Sequence, residues 1–204
     1  MGTKPILFNT EMVRAILEGK KTVTRRAVKF PRGWNPKFTG YIPDGAVLYG
    51  SNNIPAAKSP YKTGDILWVR ETWSISDGSY LYRAWPGEGM EPENQDWAMR
   101  EMGLKWRPSI HMPREAARIF LRVSDVRVER LQDMRLKDCE KEGVQLNFVE
   151  SADLIMGPIR ARERFSGVWD RTINPKDRPL YGWAANPWVW VIEFERISKC
   201  GEET

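Results

Sequence analysis

Residues 11–28 read EMVRAILEGKKTVTRRAV, and the fold of the chain follows from the change of structure within this stretch. Apolar side chains recur three or four positions apart up to Leu17, which predicts a helix with one buried face. Gly19 predicts the end of that helix, because glycine adopts the left-handed conformation at little steric cost. The β-branched residues within 22–28 predict an extended strand directly afterwards. The stretch therefore predicts a helix that ends just before two lysines, at the start of a strand.

Basic residues are concentrated around this stretch. Residues 1–43 carry nine lysines and arginines against two acidic residues, whereas the formal charge of the whole chain of 204 residues is +5. A local positive field attracts phosphate and accelerates association with polyanions. A solvated basic surface gives the same count, so the charge alone does not identify the partner.

The composition excludes several classes of protein. Hydrophobic residues make up 41% of the chain and charged residues 29%, which is ordinary globular usage. No apolar run has the length of a membrane span, and the first residues lack the apolar region of a signal peptide. Two cysteines and one histidine are too few for a disulfide framework or a zinc site of the usual kinds. We expect a soluble, cytoplasmic protein that uses no metal and no cofactor and does not bind membranes.

The remaining pattern predicts a mixture of strands and helices. The predicted strands are residues 5–8, 66–73, 79–85, 117–130 with a break or bulge at 124–125, and 188–194; strand 79–85 is expected to pair with 66–73 in a hairpin. The predicted helices are 135–142, 159–172 and a short one near 94–101. Residues 30–63, rich in proline and glycine, predict loops with one hairpin near 40–50. This order predicts an α+β fold, namely a small mixed β-barrel with helical caps.

The residues most suited to chemistry lie just after Gly19. In an extended segment Thr22, Thr24 and Arg26 share one face, whereas Val23 and Arg25 share the other. A lysine, two hydroxyls and an arginine at the mouth of a cavity suit a phosphate, a carbonyl or the edge of a base. A solvated helix end is the alternative interpretation. The candidate residues for binding nucleic acid or a nucleotide are Lys20, Lys21, Thr22, Thr24, Arg25 and Arg26.

Aromatic residues give a second signal. The chain has ten tryptophans, and proteins that bind unpaired bases stack them on aromatic rings. Most of these rings are expected to be core, and several of them lie on predicted strands beside leucine and valine. Trp34, Trp85 and Trp183 lie in loops beside glycine, proline or basic residues, and at most one of them is expected to be exposed for stacking.

The stretch 16–26 resembles the opening motif of the ASCH domains, which belong to the PUA-like superfamily. In that family the helix ends in a Gly-x-Lys-x-x-Thr-x-Arg pattern, and Gly19, Lys21, Thr24 and Arg26 stand at those places.

Other segments extend the resemblance along the chain. Residues 63–67, 131–143 and 189–194 resemble later parts of the same domain. Residues 68–73 and 106–113 resemble a longer subgroup found in phages and prophages. The resemblance implies one domain over residues 1–204, with insertions at about 30–60 and 77–108.

The resemblance implies a PUA-like β-barrel that binds RNA, nucleotides or modified bases. Small bacterial members of the family remove the acetyl group from N4-acetylcytidine nucleosides with a lysine, a threonine and a glutamate. Those places hold Lys21, Thr24 and Glu142 here. A threonine hydroxyl needs a base to become a nucleophile, and a lysine serves as that base when burial lowers its pKa. Glu142 would orient the lysine or carry a proton to the leaving amine.

Three functions remain open at this point. The first is binding of RNA or of a modified nucleoside or nucleotide. The second is an amidohydrolase that removes an acyl group from an N4-acylated cytidine-type nucleoside. The third is a phage accessory or assembly protein that acts through protein contacts in the host cytoplasm, with partners that the sequence does not name. Convergence of Lys21, Thr24 and Glu142 in one closed cavity would favour the enzyme.

Overall fold

The computed structural model describes residues 2–30, 47–49, 55–84, 94–144, 153 and 155–198. The described strands are β1 (Thr3–Leu7), β2 (Val23–Ala27), β3 (Val47–Tyr49), β4 (Pro55–Lys58), β5 (Ile66–Arg70), β6 (Trp73–Ser76), β7 (Ser79–Tyr82), β8 (Phe120–Arg130) and β9 (Trp188–Ile197). The described α-helices are α1 (Thr10–Leu17), α2 (Gln95–Glu101), α3 (Leu136–Lys141), α4 (Met156–Thr172) and α5 (Arg178–Tyr181). Within these residues no helix is long and apolar enough to cross a lipid bilayer.

Helix α1 forms for the reasons that the sequence predicts. Asn9 caps it, because the Asn9 Oδ1 accepts a hydrogen bond from the Met12 backbone N–H at 2.8 Å. Val13 and Ile16 are buried, and Gly19 adopts a φ of 71° beyond the last turn. The chain then enters β2, so the predicted change from helix to strand is confirmed.

Five of the described strands form one mixed sheet in the order β1–β5–β8–β9–β2. Strands β1 and β5 are parallel, whereas β5 with β8 and β2 with β9 are antiparallel. Strands β3 with β4 and β6 with β7 form two separate hairpins. Helices combined with a mixed sheet confirm the predicted α+β class.

The chain divides into two compact units. The first unit comprises Met1–Gly19, Asp65–Arg122 and Glu195–Thr204, and the second comprises Lys20–Gly64 and Val123–Phe194. Each has its own apolar cluster. The cluster of the first unit contains Trp73, Met112, Ala116, Ala117, Phe120 and Ile197. The cluster of the second contains Val23, Leu131, Met134, Cys139, Ala161, Phe165, Trp169, Val189 and Val191. A single domain over residues 1–204 with two insertions stays a prediction.

The predicted strand 66–73 is wrong in its extent. Strand β5 ends at Arg70 and β6 begins at Trp73, and β7 pairs with β6 rather than with β5. The reason is the two-residue turn at Asp77 and Gly78, whose φ angles are 49° and 77°. An Asp-Gly turn of this kind joins two strands directly, so the residues on either side of it pair with one another.

Three smaller predictions have mixed outcomes. The short helix near 94–101 is confirmed as α2. Most of the hairpin expected near 40–50 falls outside the described residues, and the described hairpin pairs Val47–Tyr49 with Pro55–Lys58. Strand β8 continues through 124–125 without a break, although the two side chains there are both exposed and interrupt the alternation.

Strand β9 is buried on both faces. The sequence places Trp188, Trp190, Ile192 and Phe194 on one face, and Val189 and Val191 on the other face are fully buried. The cause is α4, whose Phe165 and Trp169 belong to the same cluster as these valines. Strand β2, which carries Thr24, Arg25 and Arg26, pairs with residues 189–193 in the first half of this strand.

Candidate functional site

The Lys21 side chain is buried, with none of its surface exposed. Its Nζ donates three hydrogen bonds, to the Val23 carbonyl at 2.7 Å, the Glu142 carbonyl at 2.9 Å and the Glu142 Oε2 at 2.6 Å. An ammonium group has three donors. The protonated side chain of Lys21 is therefore fully satisfied without water.

Glu142 is brought to this lysine by the end of α3. The helix stops at Lys141, Glu142 caps it, and Gly143 follows with a φ of 85°. Lys21 and Glu142 form an isolated antiparallel bridge, and the Thr22 backbone N–H donates to the Lys141 carbonyl at 2.9 Å. Because a helix presents unpaired carbonyls at its C-terminal end, a cation there is favoured.

Arg25 completes the buried cluster of charges from β2. Its guanidinium is fully enclosed and donates to the Glu142 Oε1 at 3.1 Å. Its Nε and a terminal nitrogen donate to the Glu129 Oε1 at 3.0 and 2.8 Å, and Asp138 lies 3.6 Å away. Two cations thus share the Glu142 carboxylate, one on each oxygen.

The electrostatics of this cluster are set by burial. Desolvation lowers the pKa of Lys21, although the Glu142 carboxylate acts in the opposite direction; Arg26 and Arg25 lower it further. Burial also opposes the charge of Arg25, but the carboxylates of Glu142 and Glu129 outweigh it and raise the Arg25 pKa. Lys21 is therefore the cation of this cluster that is most easily deprotonated.

Thr24 is placed on β2 between these residues but on the other face. It is buried, with 3% of its surface exposed, and the alternation of an extended strand separates it from Val23 and Arg25. No hydrogen bond among the described residues joins the Thr24 hydroxyl to Lys21 or to Glu142. The structure brings two members of the predicted trio together and leaves the third without such a bond.

The other candidate residues differ in exposure. Lys20 and Thr22 are exposed, whereas Arg26 is half-buried. Burial lowers the pKa of Arg26, and the nearby phenol of Tyr61 acts against this shift. Arg25, by contrast, faces inward, so its geometry supports a role in holding carboxylates rather than in contacting a polyanion.

Of the three aromatic candidates, one lies in the described residues. Trp183 is half-buried and packs edge-on against Phe165, with ring centroids 6.0 Å apart. It belongs to the periphery of the apolar cluster of the second unit. Trp34 and Trp85 lie outside the described residues.

Sequence reasoning missed the two outer carboxylates of the cluster. Asp138 precedes Glu142 by one helical turn, a spacing that places both side chains on the same side of a helix. Glu129 lies on β8, and its pairing with Arg25 joins residues 104 positions apart. The spacing of Asp138 is visible in the sequence, whereas no sequence pattern indicates the pairing of Glu129 with Arg25.

The arrangement offers a buried cation and carboxylate beside a strand that also carries a hydroxyl and a half-buried arginine. Within the described ranges no group of three or more His, Cys, Asp and Glu side chains is placed to hold a metal ion. The polar groups available here are suited to hydrogen bonding and to proton transfer.

Comparisons with known proteins identify no relative of this chain. No family model, no curated protein and no solved structure matches the chain. The resemblance to the ASCH domains, carried by Gly19, Lys21, Thr24 and Arg26, therefore stays a prediction.

Proposed function

We propose that this chain is a PUA-like barrel protein that binds RNA or a modified nucleoside or nucleotide. The binding site is built on the second unit, around the Lys21–Glu142 pair and the neighbouring face of β2 with Thr24 and Arg26. Exposed Lys20 and Thr22 lie at its edge.

The observation that carries this proposal is the contact of 2.6 Å between the Lys21 Nζ and the Glu142 Oε2, both buried. A buried ion pair is a poor source of stability, because removing two charges from water costs about as much as their attraction returns. Such a pair is consistent with a specific role in recognition. The resemblance assigns a ligand pocket to the same residues.

The hydrogen bonding around Lys21 favours binding over catalysis as the first function. Each of its three donors has an acceptor, and a protonated amine has no lone pair with which to act as a base. The Glu142 carboxylate beside it, and the Thr24 hydroxyl on the other face of β2, match donors and acceptors on the Watson–Crick edge of a base. The basic region of residues 1–43 adds attraction for phosphate.

Calorimetric titration tests the proposal with three probes: cytidine, N4-acetylcytidine and a twelve-residue single-stranded RNA. The wild type should bind at least one of them, and Glu142→Gln should weaken that binding about tenfold. Arg118→Gln is the matched control, because it removes the half-buried partner of another buried glutamate, Glu71, in the first unit. If the wild type binds none of the three at low salt, the proposal fails and the alternative of a protein-contact role is favoured.

A second candidate, an amidohydrolase acting on N4-acylated cytidine, is favoured by one observation. Burial lowers the pKa of Lys21, and the Glu142 Oε2 lies within proton-transfer distance of it. Transfer of one proton along this contact converts the ion pair into a neutral amine and a carboxylic acid. A neutral amine is the form that acts as a general base.

The reaction would then proceed in two balanced steps. The Thr24 oxygen attacks the acyl carbonyl while its proton passes to the Lys21 amine; the bond between the acyl carbon and N4 breaks, and N4 takes that proton. This leaves an acyl ester on Thr24 and the free nucleoside. Water then gives a proton to the Lys21 amine and attacks the ester carbonyl. The bond between the acyl carbon and the Thr24 oxygen breaks, that oxygen takes the proton from Lys21, and the carboxylic acid is released.

A further inference from the structure

Arg25 occupies a position that the binding proposal does not explain. Its side chain is fully enclosed, yet it extends across two carboxylates that come from different elements. Glu129 on β8 accepts two of its hydrogen bonds through one oxygen, and Glu142 at the end of α3 accepts another through Oε1. The planar fork of an arginine forms such a bridge, whereas a lysine provides a single point of charge.

We propose that Arg25 is a positioning residue of the Lys21–Glu142 pair: anchored on Glu129, its guanidinium holds the Glu142 Oε1 and leaves only Oε2 to the Lys21 ammonium. This inference rests on the proposed function, since that function makes Lys21 and Glu142 the central pair of the site.

The geometry has two consequences for Lys21. The Glu142 carboxylate is fixed in one orientation, because both of its oxygens have a cationic donor. Its negative charge is also shared, so it stabilises the Lys21 ammonium less than an undivided carboxylate would. Arg25 thus keeps Lys21 closer to the neutral state than Glu142 alone would keep it.

The direction of the Lys21 pKa agrees with this role. Burial is the main cause of its lowered value, and the positive charges of Arg26 and Arg25 act in the same direction against Glu142. The charged groups that face the pair come from three elements. They are Arg25 and Arg26 from β2, Glu129 from β8, and Asp138 and Glu142 from α3 and its end. Of these groups, Arg25 is the cation that contacts Glu142 directly.

A titration of the Lys21 side chain without any ligand tests the inference. Lysines are labelled with ¹³C at Cε, and the Lys21 signal is identified by its absence in Lys21→Arg. In Arg25→Gln the titration midpoint of the Lys21 signal should move to higher pH, because the Glu142 carboxylate then pairs with Lys21 alone. In Arg118→Gln, which disrupts a partly buried Arg–Glu pair of the first unit, the midpoint should stay where it is in the wild type.

Arg25→Lys separates charge from geometry and provides a milder change if Arg25→Gln does not fold. A lysine keeps the positive charge but cannot bridge Glu129 and Glu142, so the Lys21 midpoint should again rise, though less. A Lys21 midpoint in Arg25→Lys equal to that of the wild type overturns the inference. A positive charge at position 25, without the bridge, would then be enough to set the Lys21 pKa. An unchanged or lower midpoint in a folded Arg25→Gln overturns it too.

The outcome is independent of whether the proposed function holds. If the midpoint rises in the variants but no nucleoside or RNA binds the wild type, the proposed function fails and the positioning role of Arg25 stands. If the wild type binds a probe and the Lys21 midpoint does not move in the variants, the proposed function stands and the positioning role of Arg25 fails.

Discussion

The Lys21 Nζ lies 2.6 Å from the Glu142 Oε2, although the two residues are 121 positions apart in the chain. The contact joins the segment before β2 to the end of α3, and the same lysine also donates to the Glu142 backbone carbonyl. Because Arg25 holds the other carboxylate oxygen, Glu142 has two cationic partners. These two cations, Lys21 and Arg25, depend on Glu142 to different extents.

This asymmetry predicts unequal costs of removing the partners. In Lys21→Met the Glu142 carboxylate keeps Arg25, so the loss of unfolding free energy should be modest. In Glu142→Gln two buried cations remain without their shared counter-charge, and we expect a loss of about 3–5 kcal/mol, as for other broken buried pairs. Urea unfolding measures both. Equal losses would contradict the view that Glu142 is the centre of the cluster.

A second prediction concerns pH and Glu71 in the first unit. Burial raises the pKa of Glu71 above its usual range, although Arg118 donates to both of its oxygens at 2.9 and 3.0 Å and acts in the opposite direction. The folded state therefore binds the proton more tightly than the unfolded chain. The contribution of Glu71 to stability is present at low pH and is lost as pH rises from the usual range through the raised value.

Comparison with Glu71→Gln isolates this contribution from that of the other carboxylates. The free energy of unfolding of the wild type, minus that of Glu71→Gln, should fall as pH increases over the acidic range. Urea unfolding at a series of pH values gives the difference. If this difference in free energy grows with pH instead, the attraction of Arg118 affects the pKa of Glu71 more than burial does.

A third prediction concerns the thiol of Cys139. Burial in the apolar cluster of the second unit raises the pKa of Cys139 to about 11. At pH 8 about one thiol in a thousand is then ionised, and the thiolate is the reactive form. In Cys200→Ser, which leaves Cys139 alone, reaction with a disulfide reagent should be at least a hundredfold slower in the native state than in urea. Rapid modification of the native protein would place Cys139 at an accessible site.

The opening of the fold could be predicted because its signals are local. The capping residue Asn9, the apolar spacing of α1 and the positive φ of Gly19 all act within a few residues of one another. The β6–β7 hairpin could also have been predicted from Asp77 and Gly78, but the apolar run at 66–69, followed by Trp73, suggested one longer strand. Short apolar runs do not reveal where a strand leaves its sheet.

The candidate site was predictable only in part. Lys21 and Glu142 were linked by resemblance and not by any local pattern, since their contact depends on how α3 ends against the segment before β2. The Arg25–Glu129 pair had no signal, because it requires the order β8–β9–β2 in the sheet. Charges that pair over long sequence distances are fixed by tertiary structure alone.

A fourth prediction concerns the salt dependence of RNA binding. If the basic region contacts phosphates, the logarithm of affinity should fall linearly with the logarithm of salt concentration. Lys20 is exposed, so Lys20→Gln should reduce the magnitude of this slope by about 1, which corresponds to the loss of one phosphate contact. Lys176→Gln is the matched control, because Lys176 is an exposed lysine in a different part of the second unit. An affinity that does not change with salt would exclude the phosphate contacts and leave nucleoside binding open.

The last prediction tests catalysis itself on a panel of N4-acylated cytidines, with release of cytidine measured by chromatography. If Thr24 is the nucleophile and Lys21 its base, Thr24→Ala and Lys21→Ala should lower turnover by similar factors. The double variant should then be little worse than either, because residues that act as a unit are not additive. Lys21→Arg should not restore activity, since an arginine stays protonated and cannot accept the proton. The control is Arg118→Gln, which lies outside the site.

The position of Thr24 makes its own variant the deciding one. Because no described hydrogen bond joins its hydroxyl to Lys21 or Glu142, a water molecule activated by that pair is the competing nucleophile. Turnover by Thr24→Ala equal to that of the wild type would assign the attack to water and leave Lys21 and Glu142 as its base and proton carrier. Absence of turnover by the wild type on every substrate, with binding of cytidine derivatives retained, would reject the enzyme and retain the binding protein.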